Sequence, residues 1–151
     1  MALVLRQKEY QGKFFDNISG EKVGLFYRRA TTKEKNKFNS AMANLILKHQ
    51  ETKDRETFID DNNELQEEWG DKVLVGIADG DFYLDEESER TMSSDDKSEN
   101  YYPGWRAVIK EERPELLRAL CNLVFSEVRH LPGTEKKRTS PISLENTTEQ
   151  L

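Results

Sequence analysis

With 151 residues and a formal net charge of −6, the chain is long enough for one compact domain and too acidic to favour phosphate backbones or anionic membranes. Hydrophobic residues make up 35% and charged residues 34%, which is typical of a small core inside a heavily charged surface. The single cysteine excludes an internal disulfide, and the sequence shows neither a signal peptide nor an apolar run of about 18 residues, so we expect a cytoplasmic protein without nucleic-acid or membrane partners.

The first predicted element is a β-hairpin at about residues 12–29. Two β-prone runs, at 14–15 and 23–27, flank a connection at 16–21 that is rich in Asp, Asn, Ser and Gly, the usual composition of a hairpin turn. Two strands are only marginally stable alone. One face of the hairpin should therefore pack against helices or against another subunit.

A capping-box signature predicts where the first helix begins. The Thr31 hydroxyl can accept from the backbone N–H three residues on, while Glu34 reaches back. Apolar residues then recur at helical spacing and predict a core-facing stripe: Phe38, Ala41, Met42, Leu45, Ile46 and His49. The polar run that follows His49 fits either an interhelical turn or a solvated continuation of the same helix, and we favour a break before the next helix.

The second helix is predicted from about 59 to 78, because apolar residues fall mostly at multiples of four up to Ile77. Gly80 would end this helix by adopting the left-handed conformation. An alternative stays open, since the β-prone residues 73–75 also fit a short strand.

A polar, acidic loop is predicted at 85–100, and two helices are predicted after it. Pro103 can lie in the first turn of the third helix, and Pro114 can open the fourth. The fourth helix is the most apolar and is predicted to form the centre of the core. The helices would span about 32–130, and the polar tail at 133–151 is expected to be flexible. The fold class predicted for residues 1–132 is α+β, mainly helical, in a single domain.

Sites of known chemistry are weakly indicated. His49 and His130 lack partners at metal-ligand spacing, and Cys121 lies on an apolar stripe, which favours a buried residue over a nucleophile. The glycines Gly70, Gly76 and Gly80 are spaced for turns and close helix packing, not for a phosphate loop. Several acidic side chains could gather around a cation but do not follow the EF-hand pattern: Asp79, Asp81, Asp85, Glu86 and Glu87. We therefore predict a non-enzyme with no cofactor and no metal.

Three stretches together resemble a known class of protein. They are residues 27–34, which lead from the hairpin into the capping box, the block at 73–82, and Trp105 ahead of a helix that ends near Val124-Phe125. In this order they are similar to tail assembly chaperones of siphophages and prophages. The resemblance implies a protein of the bacterial host cytoplasm that coats the tape measure protein, or other tail components, until the tail tube polymerises. It also allows self-association into a homo-oligomer.

The predicted contact residues are aromatic and arginine side chains, the types that most often anchor interfaces. They lie at the hairpin end and around the acidic loop: Phe26, Tyr27, Arg28, Arg29, Phe82, Tyr83, Tyr101 and Tyr102. Phe26 and Phe82 also fit a core role, and both tryptophans are assigned to the core. Two other functions remain as alternatives: an accessory phage protein that binds a host protein, and a metal-dependent enzyme that uses the acidic loop.

Overall fold

The sheet of the computed structural model has three antiparallel strands, β1 (Tyr10–Phe15), β2 (Lys22–Tyr27) and β3 (Leu74–Ile77), with β2 in the centre. The structure describes residues 8–52, 54–85, 87 and 90–126. β1 and β2 form the predicted hairpin, whose connection is closed by the Asp16 N–H donating to the Glu21 carbonyl at 2.8 Å. The sequence predicts two strands, and β3 adds a third.

Four helices complete the described fold: α1 (Thr32–Thr52), α2 (Arg55–Val73), α3 (Trp105–Glu112) and α4 (Pro114–Phe125). The capping box is confirmed, because the Thr31 hydroxyl accepts from the Glu34 N–H at 3.1 Å while Glu34 Oε1 accepts from the Thr31 N–H at 2.9 Å. The break after α1 is also confirmed, with Asp54 capping α2. Together with the sheet, these helices give the predicted α+β, mainly helical single domain.

The prediction that α2 continues to residue 78 is wrong. The helix ends at Val73, and the next residues pair with β2 through the Arg28 N–H to the Val73 carbonyl at 3.0 Å and the Ala78 N–H to the Gly24 carbonyl at 2.9 Å. Backbone N–H and C=O groups on the side of β2 that faces away from β1 find partners in this way. The alternative prediction of a short strand here is therefore confirmed. Gly80 has the expected positive φ of 88°, but it lies in the turn after β3.

The core lies between α2, α4 and the inner face of the sheet. α4 forms its centre as predicted, since Leu117, Leu120 and Val124 are fully buried. Both tryptophans are also in the core region, with Trp69 at 6% and Trp105 at 8% exposure. α2 and α4 approach so closely that a Cβ at Gly70 would overlap the Leu117 carbonyl oxygen. Gly70 therefore serves helix packing, as the sequence indicates.

The apolar stripe of α1 does not form the core face that its spacing predicts. His49 is its only buried member, Ile46 is 44% exposed, and Phe38, Ala41, Met42 and Leu45 are half-buried. The reason is that α2, α4 and the sheet already fill the core, so α1 packs on the outside of α2. It is held near its start by Phe38, which stacks on Phe125 with ring centroids 4.6 Å apart.

The loop at 85–100 is only partly the solvated segment that its composition predicts. Met92 and Ser93 are buried at 4% and 1% exposure. The Ser94 hydroxyl accepts from the Ile77 N–H at 2.9 Å and so covers the outer edge of β3. Pro103 lies in the turn ahead of α3 and not inside that helix. The predicted tail at 133–151 and His130 lie outside the described residues.

Candidate protein-binding cleft

A cleft of about 1040 Å³ opens where the hairpin turn, the segment after β3 and the corner between α3 and α4 meet. Its floor is apolar and is formed by side chains from separate parts of the chain: Val23, Phe82, Met92, Val108, Ile109 and Leu116. Phe82 and Val108 are half-buried, whereas the other floor residues are buried members of the core. A ligand in the cleft would therefore touch Phe82 and Val108 most directly.

The rim of the cleft is predominantly acidic. Five carboxylates border it against two basic side chains: Asp16, Glu21, Asp81, Asp85 and Glu112 against Lys22 and Arg113. Glu21, Asp85 and Glu112 are exposed. A concave surface lined mainly by one sign of charge strengthens the local field, so this cleft favours cationic groups.

Asp81 fixes the wall of the cleft that follows β3. One of its carboxylate oxygens accepts from the Gly24 N–H at 2.7 Å, which ties this segment to the central strand. A Cβ at Gly24 would lie 2.9 Å from the Ala78 Cβ, so only glycine allows this close approach. The charge of Asp81 is thus partly used to hold the fold.

Asp16 organises the hairpin turn on the opposite wall. It accepts from the Ile18 N–H at 3.1 Å and from the Ser19 hydroxyl at 2.9 Å. These two hydrogen bonds, and then the charge of Arg113, lower the pKa of Asp16 below its usual value. Arg113 Nε lies 4.0 Å from the Asp16 carboxylate. Asp16 and Arg113 therefore partly compensate each other's charge, so the exposed carboxylates Glu21 and Glu112 contribute most directly to the field over the floor.

Two of the eight predicted contact residues line this cleft. Tyr83 is 60% exposed, and Phe82 packs against the core with one side while facing the cleft. The Phe82 carbonyl accepts from the Met92 N–H at 2.6 Å, so the loop after β3 is held in place beside the floor. The sequence thus points to part of the cleft through these two aromatic residues.

The predicted residues at the hairpin end lie toward the opposite end of β2, where Tyr27 is roughly 17 Å along the strand from Lys22. Phe26 is half-buried beside Gly76, and Tyr27 stacks on Tyr10 with ring centroids 5.6 Å apart. Arg29 is exposed. None of these side chains lines the cleft with Phe82 and Tyr83.

Arg28 is engaged within the fold. Its guanidinium donates to both Glu34 carboxylate oxygens at 2.9 and 2.8 Å and to the Lys72 carbonyl at 3.1 Å. The hydrogen bonds from Arg28 lower the pKa of Glu34 to about 2, and those from Thr31 add to the shift. Arg28 therefore links β2, the start of α1 and the end of α2.

Tyr101 and Tyr102 form a third location. They are 39% and 37% exposed and follow the buried part of the loop, where the Tyr102 N–H donates to the Ser93 carbonyl at 3.0 Å. Neither lines the cleft. The eight predicted residues are therefore distributed over three places.

Two of the acidic side chains that could bind a cation are engaged within the fold, and Glu86 lies outside the described residues. Asp79 accepts from the Ser93 hydroxyl at 2.6 Å, while Asp81 accepts from Gly24. Among the residues that the structure describes, no group of three or more His, Cys, Asp or Glu side chains could hold a metal ion. Cys121 is buried as predicted, and burial raises the pKa of its thiol to about 12.

Sequence reasoning missed most of the cleft. The sequence predicts the third helix but does not single out Val108, Glu21 or Glu112 as site residues. A weak signal was present, because Val108 and Glu112 are four residues apart and share one face of a helix. Their relation to the hairpin turn depends on the tertiary fold.

Comparison with known proteins adds no assignment: no protein family, curated protein or solved structure matches this chain. Within the described part of the chain, no helix has the length and apolar character needed to cross a membrane.

Proposed function

We propose that this chain is a non-catalytic protein-binding protein of the tail assembly chaperone type, which binds the tape measure protein in the bacterial host cytoplasm and keeps it soluble during tail morphogenesis. The observation that carries the proposal is the cleft, whose apolar floor continues the core and whose rim is acidic. Such a surface suits an amphipathic segment of another protein.

The physical basis for binding is the burial of apolar side chains from the partner. Each Leu, Val or Phe that is fully buried contributes about 2 kcal/mol relative to its exposed state. Phe82 and Val108 offer a hydrophobic contact that the fold itself leaves half-covered. A partner that would otherwise aggregate through its own exposed apolar side chains would be kept in solution when this chain covers them.

Charge supports the same function. The net charge of −6 makes copies of the chain repel one another, which opposes their aggregation in solution. The exposed carboxylates Glu21 and Glu112 would remain at the edge of a bound segment. Interfaces of this kind have an apolar centre and a polar rim.

The test is co-expression with a tape measure protein from the same genome as this chain, followed by affinity capture and light scattering. We expect a stoichiometric complex in which the tape measure protein stays soluble. A Val108→Asp variant should lose the complex, whereas Ala107→Asp, at an exposed position outside the cleft, should keep it. If the wild-type chain stays monomeric and the tape measure protein precipitates, the proposal is wrong and a host protein becomes the partner to seek.

A further inference from the structure

We propose that the occupant of the cleft is a single amphipathic helix that carries lysine or arginine residues along the borders of its apolar stripe. This inference rests on the proposed function, because it names the chemistry of the segment that the same cleft binds. It follows from three features of the cleft: how its backbone is paired, how large it is, and which charges on its rim are compensated.

The pairing of β2 excludes strand addition at the floor. β2 is hydrogen-bonded to β1 on one side and to β3 on the other, and the Gly24 N–H is taken by Asp81. The floor therefore presents side chains and offers no free strand edge. A bound segment must satisfy its own backbone groups when it is buried, and a helix does so internally.

The cleft is large enough by volume to take two turns of helix. Two turns are about 11 Å long and about 10 Å across, which corresponds to roughly 900 Å³. The cleft measures about 1040 Å³. Phe82 and Val108 would then contact apolar side chains spaced three and four residues apart on the bound helix, the usual pattern of helix-in-groove recognition.

The uncompensated charge of the rim selects a basic partner. Asp16 is engaged by its own turn and by Arg113, and Asp81 accepts from Gly24. Asp85 accepts from the Glu87 N–H at 3.0 Å, so the exposed rim carboxylates that carry the inference are Glu21 and Glu112, against the single exposed cation Lys22. A helix with acidic borders would meet like charge on most of the rim, whereas one with basic borders would meet complementary charge.

Two synthetic helices test this inference directly. They share the same leucine stripe over 16 residues and differ only in their bordering residues, lysine in one and glutamate in the other. Binding to the full chain is followed by fluorescence anisotropy of the labelled peptide. We expect the lysine-bordered helix to bind at least about tenfold more tightly, since several charge pairs of this exposed kind contribute about 0.2–1 kcal/mol each.

Adjacent glutamates in α3 supply a matched pair of variants. Glu112 borders the cleft, whereas Glu111 is exposed but does not line it. Glu112→Lys should weaken binding of the lysine-bordered helix about threefold and strengthen binding of the glutamate-bordered one. Glu111→Lys makes the same change of net charge in the same helical turn and should have a smaller effect on both. Unfolding transitions of both variants show whether the fold is retained.

Equal binding of the two helices, or equal effects of the two variants, would overturn the inference. So would binding of a small apolar dye in the cleft with no binding of either helix. These results are distinct from failure of the proposed function. Capture of the tape measure protein that is unaffected by Glu112→Lys refutes the basic-helix partner and leaves the chaperone function standing, whereas no capture by the wild-type chain refutes the function itself.

Discussion

The two ends of β2 use charged residues in different ways. At the Tyr27 end, Arg28 and Glu34 are paired through two hydrogen bonds and hold three elements together. At the Lys22 end, Glu21 and Glu112 reach solvent beside an apolar floor. An arginine next to aromatic residues resembles an interface anchor in the sequence, but its charge is already compensated within the fold. The proposed binding surface is instead marked by exposed carboxylates, Glu21 and Glu112, that lie beside the apolar floor.

The largest expected effect on stability comes from disturbing the contact between α2 and α4, which supports the sheet at both ends of β2. Gly70→Ala should destabilise the protein by about 3 kcal/mol, because the added Cβ would overlap the Leu117 carbonyl oxygen and force α2 and α4 apart. Gly20→Ala is the control, since its Cβ would meet nothing within 4 Å. There the positive φ of 76° alone should cost about 1 kcal/mol. Urea unfolding measures both, and equal losses would mean that the helix contact tolerates a methyl group.

Replacing the charged group at the Tyr27 end should give the next largest effect. Arg28→Met removes charge-assisted hydrogen bonds to Glu34 and to the Lys72 carbonyl and should cost about 2 kcal/mol. Lys22→Met, at an exposed position at the other end of the same strand, should change stability by no more than about 0.5 kcal/mol. Thermal unfolding checks the difference. If Arg28→Met instead leaves stability unchanged but abolishes partner capture, Arg28 is a contact residue as the sequence predicts.

The same end should also respond to acid. The pKa of Glu34 is lowered to about 2 in the folded state from a usual value of 4.5, so its ionised form stabilises the fold above pH 4.5. This contribution is lost as the pH falls from about 5 to about 2, when the folded-state carboxylate takes up its proton. We expect about 1.5 kcal/mol, because solvent partly screens this pair.

Urea unfolding of the wild type and Glu34→Gln at pH 7, 4 and 2.5 measures that contribution. The difference between the two should be largest at pH 7, smaller at pH 4 and reduced to a minor part of its full value at pH 2.5. In an Arg28→Met background the Glu34→Gln change should cost much less, because the coupled partner is already missing. A difference that stays constant with pH would show that the pair does not stabilise the fold through its charge.

The parts of the fold that the sequence predicts correctly are those decided locally. The capping box at Thr31 and Glu34 and the opening of α4 by Pro114 depend on residues within one helical turn. The hairpin turn at 16–21 depends on composition over six residues. In each case the competing structures are distinguished by nearby residues, so tertiary contacts are not needed to choose between them.

The parts that the sequence does not predict are decided by distant partners. Residues 74–77 form a strand because β2 has an unpaired flank, although their apolar spacing also suits a helix. The stripe of α1 has the right period for burial, yet a periodic stripe does not show what will cover it. The cleft could not be predicted for the same reason, because its floor and rim come from four distant parts of the chain: the hairpin, the segment after β3, α3 and α4.

A substitution on the cleft floor, at the Lys22 end of β2, should change stability only slightly. Its effect on partner capture can therefore be distinguished from an effect on folding. Val108 is half-buried on the cleft floor, so Val108→Asp should cost about 1 kcal/mol of stability. Its effect on binding should be larger than this, because the new carboxylate must lose water when an apolar partner covers it. Ala107→Asp adds the same group on the exposed side of α3 and should leave partner capture intact. If both variants lose capture in proportion to their lost stability, the cleft acts only as part of the fold; if Val108→Asp alone loses it while remaining folded, the open floor at this end of β2 is the binding surface.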